Sequence, residues 1–581
     1  MSRGALGVSR VGSLFPARGA SRMIAVALAM MAPSTRGSPP PEETRNGLSR
    51  NRQPQARRRD TSVRDRRILS VFAFLGAAVC VYAMRRADPD VWGYLAFGRL
   101  FVESGGPVGI DPFSYTCGGC VWTSHEYLAQ VIIWQAYNLG GPFGLIGLKC
   151  LVGGLCAYAL FLALRATTDE PLVWVPLFLL ATSIVARYFL FRPQLFTCAC
   201  FAIYVAVLLR YLLRRSNELW VLPLVMLAWA NLHGGFLAGL GALCLALPLL
   251  VCRNANAFGM DRRLSTDASQ LALTLVASTL VTFINPQGWR LWRYVLTEIT
   301  HDTNRRYIAE WLPTLRAGDY WSTATIILLV FVLIVSGWLA HRSRASRAGI
   351  RAWQWVLSCV PLVGMAYLSV RHIPIAALWI APVATLLTFG AMREQDDRSW
   401  IRRAWSVVAS LATIPAILTV VAVSVDPRPR IFIAGDTLGS KHPCQAVAFM
   451  REHNVAGNVY APLWWGSYVT WHLFPSVRVS MDGRNITFFP DRMVVENLRF
   501  YSASATRDDE DAPLRYETDY LLVPSDRSIL GRIQADRRWQ QIFTDSDAFL
   551  FVRREKALDS MTPAAAGKPV PSSTACPAWM Q

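Results

Sequence analysis

A series of long apolar runs, starting near residue 68 and ending near residue 425, constrains this chain more than any other feature. A helix crosses the hydrocarbon of a bilayer with about 17 to 25 apolar residues, and most of the runs are of about that length. Hydrophobic residues make up 53% of the 581 residues and charged residues only 17%, so the sequence predicts a polytopic α-helical membrane protein. We predict about eleven transmembrane helices, at 68–84, 143–164, 172–191, 194–213, 219–233, 234–252, 268–286, 322–340, 353–370, 374–392 and 404–425.

The runs at 219–233 and 234–252 adjoin each other directly. One helix of this combined length would measure about 51 Å at 1.5 Å per residue, whereas the hydrocarbon is about 30 Å thick. We therefore predict two helices, separated by a break at Asn231-Leu-His233-Gly234-Gly235. Irregular backbone at this depth is tolerated only where it lines a cavity, so we expect the break to line one.

Basic residues give the chain a net charge of +20, which could indicate a nucleic-acid partner. Such binding requires a basic face on a folded domain, but here the arginines cluster in the segment before the first run and in short loops between runs. Every second loop is basic, as the positive-inside rule demands. We therefore expect no nucleic-acid partner, a plasma (inner) membrane location, a cytoplasmic N-terminus and a periplasmic or extracytoplasmic C-terminal segment.

The loops that this rule assigns to the outer side contain nearly all the unusual polar motifs of the chain. Carboxylates near lipid are costly unless they are paired, bind a cation or face water, and a guanidinium at the membrane edge is suited to gripping a phosphate. Ordinary interpretations also exist, because Pro and Gly end helices, Arg snorkels and His can link helices. The gathering of these polar motifs on the predicted outer side of the membrane predicts an active site there. The motifs are Asp88-Pro-Asp90, His125-Glu126, Arg192-Pro193-Gln194, His233 in its break, Asn285-Pro286-Gln287-Gly288, Glu310-Trp311 and Arg371-His372.

The first outer loop, residues 85–142, carries acids beside an apolar run. Asp88 and Asp90 could share Mg²⁺ or Mn²⁺ with a lipid phosphate that supplies the remaining oxygen ligands, or they could lie in solvated turns. Residues 123–140 interleave polar and apolar side chains, so we predict an amphipathic helix on the outer surface rather than a further crossing. For Cys117 and Cys120, a disulfide or free thiols are favoured over a zinc site.

Residues 426–555 alternate strand and helix patterns, which predicts a small α/β domain on the outer side. Residues 1–67, a basic cytoplasmic tail, and 556–581 have the composition of disordered segments. The transmembrane domain is expected to occupy 68–425. Strand patterns begin at Arg430, Asn458, Val477, Tyr520 and Ala548, and helices are expected near 443–453, 491–503 and 527–538.

Residues 68–550 resemble the GT-C superfamily of membrane glycosyltransferases that depend on polyprenyl-phosphate sugars. The resemblance rests on the cytoplasmic start, the first span, the long outer loop with Asp-x-Asp-like acids and surface helices, and the outer C-terminal segment. The first loop is also similar to that of uncharacterised bacterial membrane proteins of this type, through Asp88-Pro-Asp90-Val-Trp92, Gly98-Arg99, Asp111-Pro112-Phe-Ser-Tyr115, Trp122 and His125-Glu126.

This resemblance implies an inverting transferase that moves a hexose or pentose from a polyprenyl-phosphate-linked sugar to a hydroxyl of a glycan, lipid or protein at the outer membrane face. Asp90 or Asp88 would be the base that takes the acceptor proton, with Glu126 as the next candidate. Arg192 and Arg371 would stabilise the leaving polyprenyl phosphate. The other substrate-binding candidates are His125, His233, Glu310 and His372.

The segment Trp464-Trp465-Gly466-Ser467-Tyr468, followed by Met481-Asp482-Gly483-Arg484, loosely resembles the Trp-Trp-Asp-Tyr-Gly region of oligosaccharyltransferase catalytic subunits. Gly466 stands where that motif has an acid, so recognition of an acceptor peptide is not implied. Tryptophans that pack the domain onto the membrane, and a turn at Asp482-Gly483-Arg484, explain these residues at least as well.

Two other functions would also suit a membrane protein with polar motifs on one face. A transporter or flippase for a lipid-linked glycan would line a cavity with Arg and His, but it should show internal repeats and balanced polar residues on both faces, and the sequence shows neither. A non-catalytic envelope scaffold would need no acids at the membrane edge. We therefore favour the glycosyltransferase.

Overall fold

The computed structural model describes residues 90–556, except for 214, 257–261, 301–307, 348, 395–398, 426–441, 485–487 and 503–505, together with residues 75, 76 and 78. The side chains discussed below lie in one compact unit formed by Ala73–Val420 and Arg428–Gln581. The N-terminal tail, most of the predicted first span, Asp88, the strand expected at Arg430 and the tail from 557 lie outside the described residues.

The helices before residue 426 mostly follow the predicted apolar runs, except for those at Val91–Glu103 and Trp289–Thr300, which lie outside the runs. They are α1 (Val91–Glu103), α2 (Tyr127–Thr167), α3 (Pro171–Tyr188), α4 (Gln194–Leu212), α5 (Val221–Leu232), α6 (Leu237–Asn256), α7 (Arg262–Val281), α8 (Trp289–Thr300), α9 (Tyr320–Arg342), α10 (Ala352–Leu368), α11 (Ile373–Glu394) and α12 (Ser399–Val425). Short 3-10 helices lie at Gly234–Phe236, Ala309–Trp311 and Val370–His372, and β1 (Ser346–Arg347) pairs with β2 (Ile350–Arg351).

Seven helices within the described residues are long and apolar enough to cross a membrane. The shorter apolar helices α5 and α10 lie at two further predicted runs. Helix α7 overlaps the run at 268–286, but it begins at the polar Arg262 and ends at Val281, shortly before Asn285-Pro286, where proline cannot continue a helix. The seven candidate spans are Tyr127–Thr167, Pro171–Tyr188, Gln194–Leu212, Gly234–Val251, Tyr320–Arg342, Val370–Arg393 and Ser399–Thr419.

Two glycine-containing breaks interrupt the helices. Gly140 and Gly141 inside α2 are not helical, and Gly141 has a φ of 52°, a left-handed value that favours glycine. This break separates the predicted surface helix, which lies in the first part of α2, from the apolar remainder. Helix α5 ends at Leu232 and α6 begins at Leu237, so the predicted break at residues 231–235 is confirmed.

The C-terminal part of the chain forms a mixed sheet flanked by helices. Its strands lie in the order β4-β3-β5-β7-β6. Strand β3 pairs in parallel with β4 and β5, and β7 pairs antiparallel with β5 and β6. The elements are α13 (Cys444–Glu452), β3 (Gly457–Tyr460), α14 (Leu463–Leu473), β4 (Val477–Val479), α15 (Asp491–Phe500), α16 (Arg507–Glu510), β5 (Tyr520–Pro524), α17 (Leu530–Ala535), β6 (Trp539–Thr544) and β7 (Ala548–Arg553).

The sequence patterns did not predict helix α14, the short helix α16 or strand β6. Helix α14 contains Trp464, Trp465 and Gly466, which are weak helix formers, so the helix depends on its tertiary contacts. One such contact is the edge-to-face pair of Tyr468 with Trp92 of α1, whose ring centroids are 5.4 Å apart. Strand β6 contains Gln540-Gln541, which interrupts the apolar alternation that a strand usually shows.

The first outer loop attaches to the edge of this sheet. Ser114 forms a parallel bridge with Val479 of β4. The Val479 N–H donates to the Phe113 carbonyl at 3.1 Å, and the Tyr115 N–H donates to the Val479 carbonyl at 3.1 Å. Just beyond this bridge, Cys117 and Cys120 form a disulfide, which is one of the alternatives that the sequence left open.

A buried ion cluster joins the same loop to the domain. The Arg484 guanidinium donates to both oxygens of Asp482, from Nε to Oδ1 at 2.8 Å and from Nη2 to Oδ2 at 2.7 Å. Its Nη1 pairs with Asp111 Oδ1 of the first outer loop at 2.9 Å. Arg484 is only 7% exposed, and Phe97 and Trp122 lie within 4.9 Å of its Cζ. The cluster therefore holds loop and domain together in a site that excludes water.

We predict that Arg484→Met destabilises the protein by about 3–5 kcal/mol, because two buried carboxylates would lose their shared cation. The midpoint of thermal unfolding in detergent, followed by tryptophan fluorescence, measures the effect. Arg538→Met is the matched control, because Arg538 makes the same two-residue pair with Asp536 at the surface, where ion pairs contribute little. Equal shifts for the two variants would contradict the prediction.

Candidate active site

Most of the polar residues that the sequence singled out lie directly before a helix. Asp90 precedes α1, Glu126 precedes α2, and Arg192 is separated from α4 only by Pro193, whose fixed φ suits a helix start. His233 lies between α5 and the 3-10 turn that leads into α6, and Arg371 lies in the turn before α11. The helix starts thus present these side chains at turns, where they contact one another.

The first cluster is built on Arg192. Its Nη2 lies 3.2 Å from Asp90 Oδ2, and its Nη1 pairs with Glu310 Oε1. Asp90 makes no side-chain capping hydrogen bond to α1, so its carboxylate is available to Arg192. One guanidinium therefore bridges two carboxylates that are separated by 220 residues in the sequence.

The second cluster is built on Glu126 and two imidazoles. Glu126 Oε1 lies 3.4 Å from His125 Nε2 and 3.6 Å from His233 Nε2. The His125 ring also stacks on Tyr294 of α8, with centroids 4.5 Å apart. Burial raises the pKa of Glu126, but His125, His233 and Arg371 together lower it more, so its pKa lies below the usual 4.5. Glu126 is therefore a fixed negative charge at neutral pH.

His233 is held as a neutral ring. The Gly235 N–H donates to its Nδ1 at 3.0 Å, and Arg371 Nη2 lies 3.1 Å from its Nε2. Both neighbours can only donate, so each favours a ring nitrogen without a proton. A neutral imidazole offers one such nitrogen, whereas an imidazolium would turn an N–H toward both neighbours. Thr197 Oγ1 lies 2.8 Å from Nδ1 and in turn accepts from Trp229 Nε1. These contacts fix the orientation of the ring.

The two clusters meet at Trp311. Glu310 belongs to the first cluster, and the guanidinium of Arg371 lies over the neighbouring Trp311 ring at 4.9 Å. Ser369 Oγ donates to the Glu310 carbonyl at 2.9 Å, and the Val370 N–H donates to the Leu312 carbonyl at 3.2 Å. Acids, arginines and histidines from distant parts of the chain thus surround one region.

The structure brings together most of the predicted site residues. Asp90, Arg192 and Glu310 form one cluster, His125, Glu126, His233 and Arg371 form the other, and the His372 ring lies edge-on to Trp311 at 6.4 Å. Asp88 lies outside the described residues. The sequence interpretation missed Thr197 and Tyr294, since a Thr in an apolar run and a Tyr in an amphipathic helix give no signal. It also missed Lys149, a buried lysine inside α2, which a lone charge in an apolar run could have indicated.

The predicted metal pair receives little support from the donor set. In the parts of the chain that the structure covers, no three His, Cys, Asp or Glu side chains lie close enough together to hold an ion. Of the predicted pair Asp88 and Asp90, only Asp90 is described, and its carboxylate forms an ion pair with Arg192. Mg²⁺ would need about six oxygen ligands. The described residues therefore do not fit a metal ion.

No protein-family model and no curated protein matches the sequence. Among solved structures, the chain is similar to the oligosaccharyltransferase AglB of Archaeoglobus fulgidus, with a TM-score of 0.52 and 12% identity over 78% of this chain and 69% of that chain. A second structure of the A. fulgidus oligosaccharyltransferase gives 0.50 and 10% over the same shares. ArnT of Cupriavidus metallidurans gives 0.48 and 14%, over 86% of this chain and 99% of that chain. The chain therefore has the fold of the A. fulgidus oligosaccharyltransferase.

We predict that Glu126 stabilises the protein in a pH-dependent way. A carboxyl whose pKa is lowered by folding contributes stability above its unfolded pKa and loses it as the pH falls through the folded pKa. The difference in melting temperature between wild type and Glu126→Gln should therefore be full at pH 7 and shrink below about pH 4.5. Glu103→Gln, at the exposed end of α1, controls for the loss of one negative charge. A pH-independent difference would contradict the prediction.

Proposed function

We propose that the protein is a membrane glycosyltransferase that transfers a sugar from a polyprenyl phosphate to an acceptor hydroxyl. The convergence of one acid, Asp90, with two arginines, Arg192 and Arg371, on a GT-C fold carries this proposal. The AglB structure was obtained in complex with a dolichol-phosphate, which supports a lipid phosphate as the donor. The acceptor is a hydroxyl of a glycan, lipid or protein.

The proposed topology has about eleven crossings, with residues 1–67 in the cytoplasm and residues 426–555 as an outer domain. The arginine-rich loops support this orientation in the plasma (inner) membrane, because such loops are retained on the cytoplasmic side. The site residues then lie at the outer face, where the two clusters can be reached by both a lipid donor and an acceptor.

Asp90 is the proposed base. In the transfer, the acceptor oxygen forms a bond to the anomeric carbon and its proton passes to the Asp90 carboxylate, while the bond from that carbon to the phosphate oxygen breaks. Attack opposite the leaving phosphate inverts the anomeric centre. Glu126, whose carboxylate lies beside His125 and His233, is the next candidate for this role.

Arg371 is the proposed ligand of the departing phosphate. It contacts His233 and the face of Trp311, and among the described residues no carboxylate lies within ion-pair distance of it. Arg192, by contrast, is paired with two carboxylates, so it holds Asp90 in place and adds positive charge nearby. A guanidinium with an available charge stabilises the negative charge that grows on the phosphate in the transition state.

The histidines and the remaining acid are proposed to orient the sugar. His233 is neutral and fixed, and His125 is held by Glu126 and Tyr294, so both rings can present polar atoms to sugar hydroxyls in defined positions. Glu310 and His372 flank Trp311, on whose ring Arg371 lies. They are proposed to bind the donor or acceptor from that side.

We expect Asp90→Asn to lower turnover by about 10²- to 10⁴-fold, the range that general base catalysis supplies. The measurement is release of undecaprenyl phosphate from a panel of undecaprenyl-phosphate hexoses and pentoses, with purified protein in lipid nanodiscs and a membrane extract as the acceptor source. Glu103→Gln, an acid at the opposite end of α1, is the matched control. Asp88→Asn tests the second acid of the pair.

The same panel distinguishes the alternatives. Equal turnover by wild type and Asp90→Asn, or no turnover by either, would overturn the proposal. Movement of an intact lipid-linked sugar across a vesicle membrane by the purified protein, without release of undecaprenyl phosphate, would identify a flippase instead.

We expect Arg371→Gln to weaken binding of undecaprenyl phosphate by roughly 10- to 100-fold, because hydrogen bonds to charged groups contribute about 1.5–3 kcal/mol. Titration of the lipid into protein in detergent, followed by native mass spectrometry, gives the dissociation constant. Arg187→Gln is the control, since Arg187 makes a largely exposed pair with Asp319. An unchanged constant for Arg371→Gln would remove this residue from the phosphate site.

A further inference from the structure

The Asp90 carboxylate lies between an arginine and a glycine. Its Oδ2 faces Arg192 at 3.2 Å. Its Oδ1 lies against Gly483 of the outer domain, so closely that a Cβ at position 483 would be 2.3 Å from that oxygen. Gly483 does not have the positive φ that would itself require glycine. The absence of a side chain at 483 is therefore needed for this contact and not for the backbone conformation.

The position of Gly483 is fixed by its neighbours on both sides. Its N–H donates to Ser467 Oγ of α14 at 3.0 Å. Asp482 before it and Arg484 after it are both buried and bind each other through two hydrogen bonds. The turn Asp482-Gly483-Arg484 therefore has little freedom to move away from the Asp90 carboxylate.

The turn is also tied back to the helix that begins at Asp90. The Arg484 guanidinium lies over Phe97 of α1 at 4.9 Å, and Gly93 of α1 approaches Ser467 so closely that a Cβ there would be 2.9 Å from its Oγ. These contacts connect Asp90, helix α1, Arg484 and Gly483 one after another. The last contact, between Gly483 and the Asp90 carboxylate, returns to the starting residue. An isolated acid at a helix start would have several rotamers to choose from, whereas this one is bounded on both oxygens.

We propose that the turn Asp482-Gly483-Arg484 of the C-terminal domain positions the Asp90 carboxylate for proton transfer. Gly483 is the surface against which the carboxylate lies, and Arg484 is a positioning residue that holds this surface in place. The inference rests on the proposed function insofar as Asp90 is the base. It assigns the C-terminal domain a role in proton transfer at the site, in addition to its packing against the site.

Gly483→Ala is the sharpest test, because the clash falls on side-chain atoms, the Asp90 carboxylate first, and not on backbone. The added methyl group must push the Asp90 carboxylate away by about 1 Å to reach ordinary van der Waals contact, while the fold is retained. Gly531→Ala is the matched control, since no atom lies within 4 Å of a Cβ at that position in α17. Cryo-electron microscopy of both variants in nanodiscs would measure the displacement without any substrate.

The kinetic arm uses the undecaprenyl-phosphate sugar that wild type turns over fastest. Misplacing a reacting group by about 1 Å can reduce the rate on the order of 100-fold, so kcat of Gly483→Ala should fall by about that factor. The KM for the donor should stay within about twofold, because the phosphate ligands are unchanged. A merely structural role would lower the amount of folded enzyme and leave the kcat of the folded fraction intact.

Ser467→Ala provides a second variant that does not depend on the tolerance of position 483. It removes the acceptor of the Gly483 N–H, and we expect a loss of about tenfold in kcat with an unchanged KM. If Gly483→Ala shows no thermal transition and is therefore unfolded, the kcat and the structure of Ser467→Ala test the positioning role instead.

The outcomes separate the inference from the proposed function. Inactive Asp90→Asn together with fully active Gly483→Ala and Ser467→Ala would overturn the positioning role and leave the transferase intact. Active Asp90→Asn would overturn Asp90 as the base whatever the other variants do. A structure of Gly483→Ala in which Asp90 stays in place and the turn moves instead would overturn the inference directly. A displaced Asp90 with a lowered kcat and an unchanged KM would support it.

Discussion

The pairing of Arg484 with Asp482 and Asp111 is the interaction on which the arrangement of the C-terminal domain and the loop that carries Asp111 depends. A buried guanidinium is stable only when carboxylates satisfy it, and here one carboxylate comes from its own turn and the other from a loop that lies more than 370 residues earlier. Because the aromatic rings around the cluster exclude water, removing the guanidinium leaves two buried carboxylates without a cation. The first outer loop and the C-terminal domain consequently behave as one body around the site.

The site itself divides positive charge between two arginines with different surroundings. Arg192 is neutralised by Asp90 and Glu310, so its main effect is geometric. Arg371 contacts a neutral imidazole and an aromatic ring, and the carboxylates of Glu298 and Glu126 act on it electrostatically. Glu126 balances the total charge at a short distance without pairing with Arg371 directly. This separation allows the proposed base and the proposed phosphate ligand to lie in one region without neutralising each other.

The sequence allowed part of this to be foreseen. Run lengths predicted the apolar helices and the break at His233, and the alternation of basic loops predicted that Asp90, Arg192, Glu310 and Arg371 would lie on one face. The sequence could not predict the partner of each residue, because pairs such as Arg192 with Glu310 depend on tertiary packing. For Trp464, Trp465 and the Asp482-Gly483-Arg484 turn it left open a resemblance to oligosaccharyltransferases and a packing role. The approach of Gly483 to Asp90 is a tertiary contact, which no local pattern indicates.

The bridge between Ser114 and Val479 has a consequence for how an acceptor can be recognised. An exposed sheet edge is a ready template for an extended peptide, which adds to it as a further strand through main-chain hydrogen bonds. At β4 the loop of the same chain already forms hydrogen bonds with the Val479 N–H and carbonyl, so an added peptide strand could not bond to these groups. A polypeptide acceptor would have to be selected by side-chain pockets and charge, and a lipid or glycan acceptor, which has no strand to add, would meet no competing surface there.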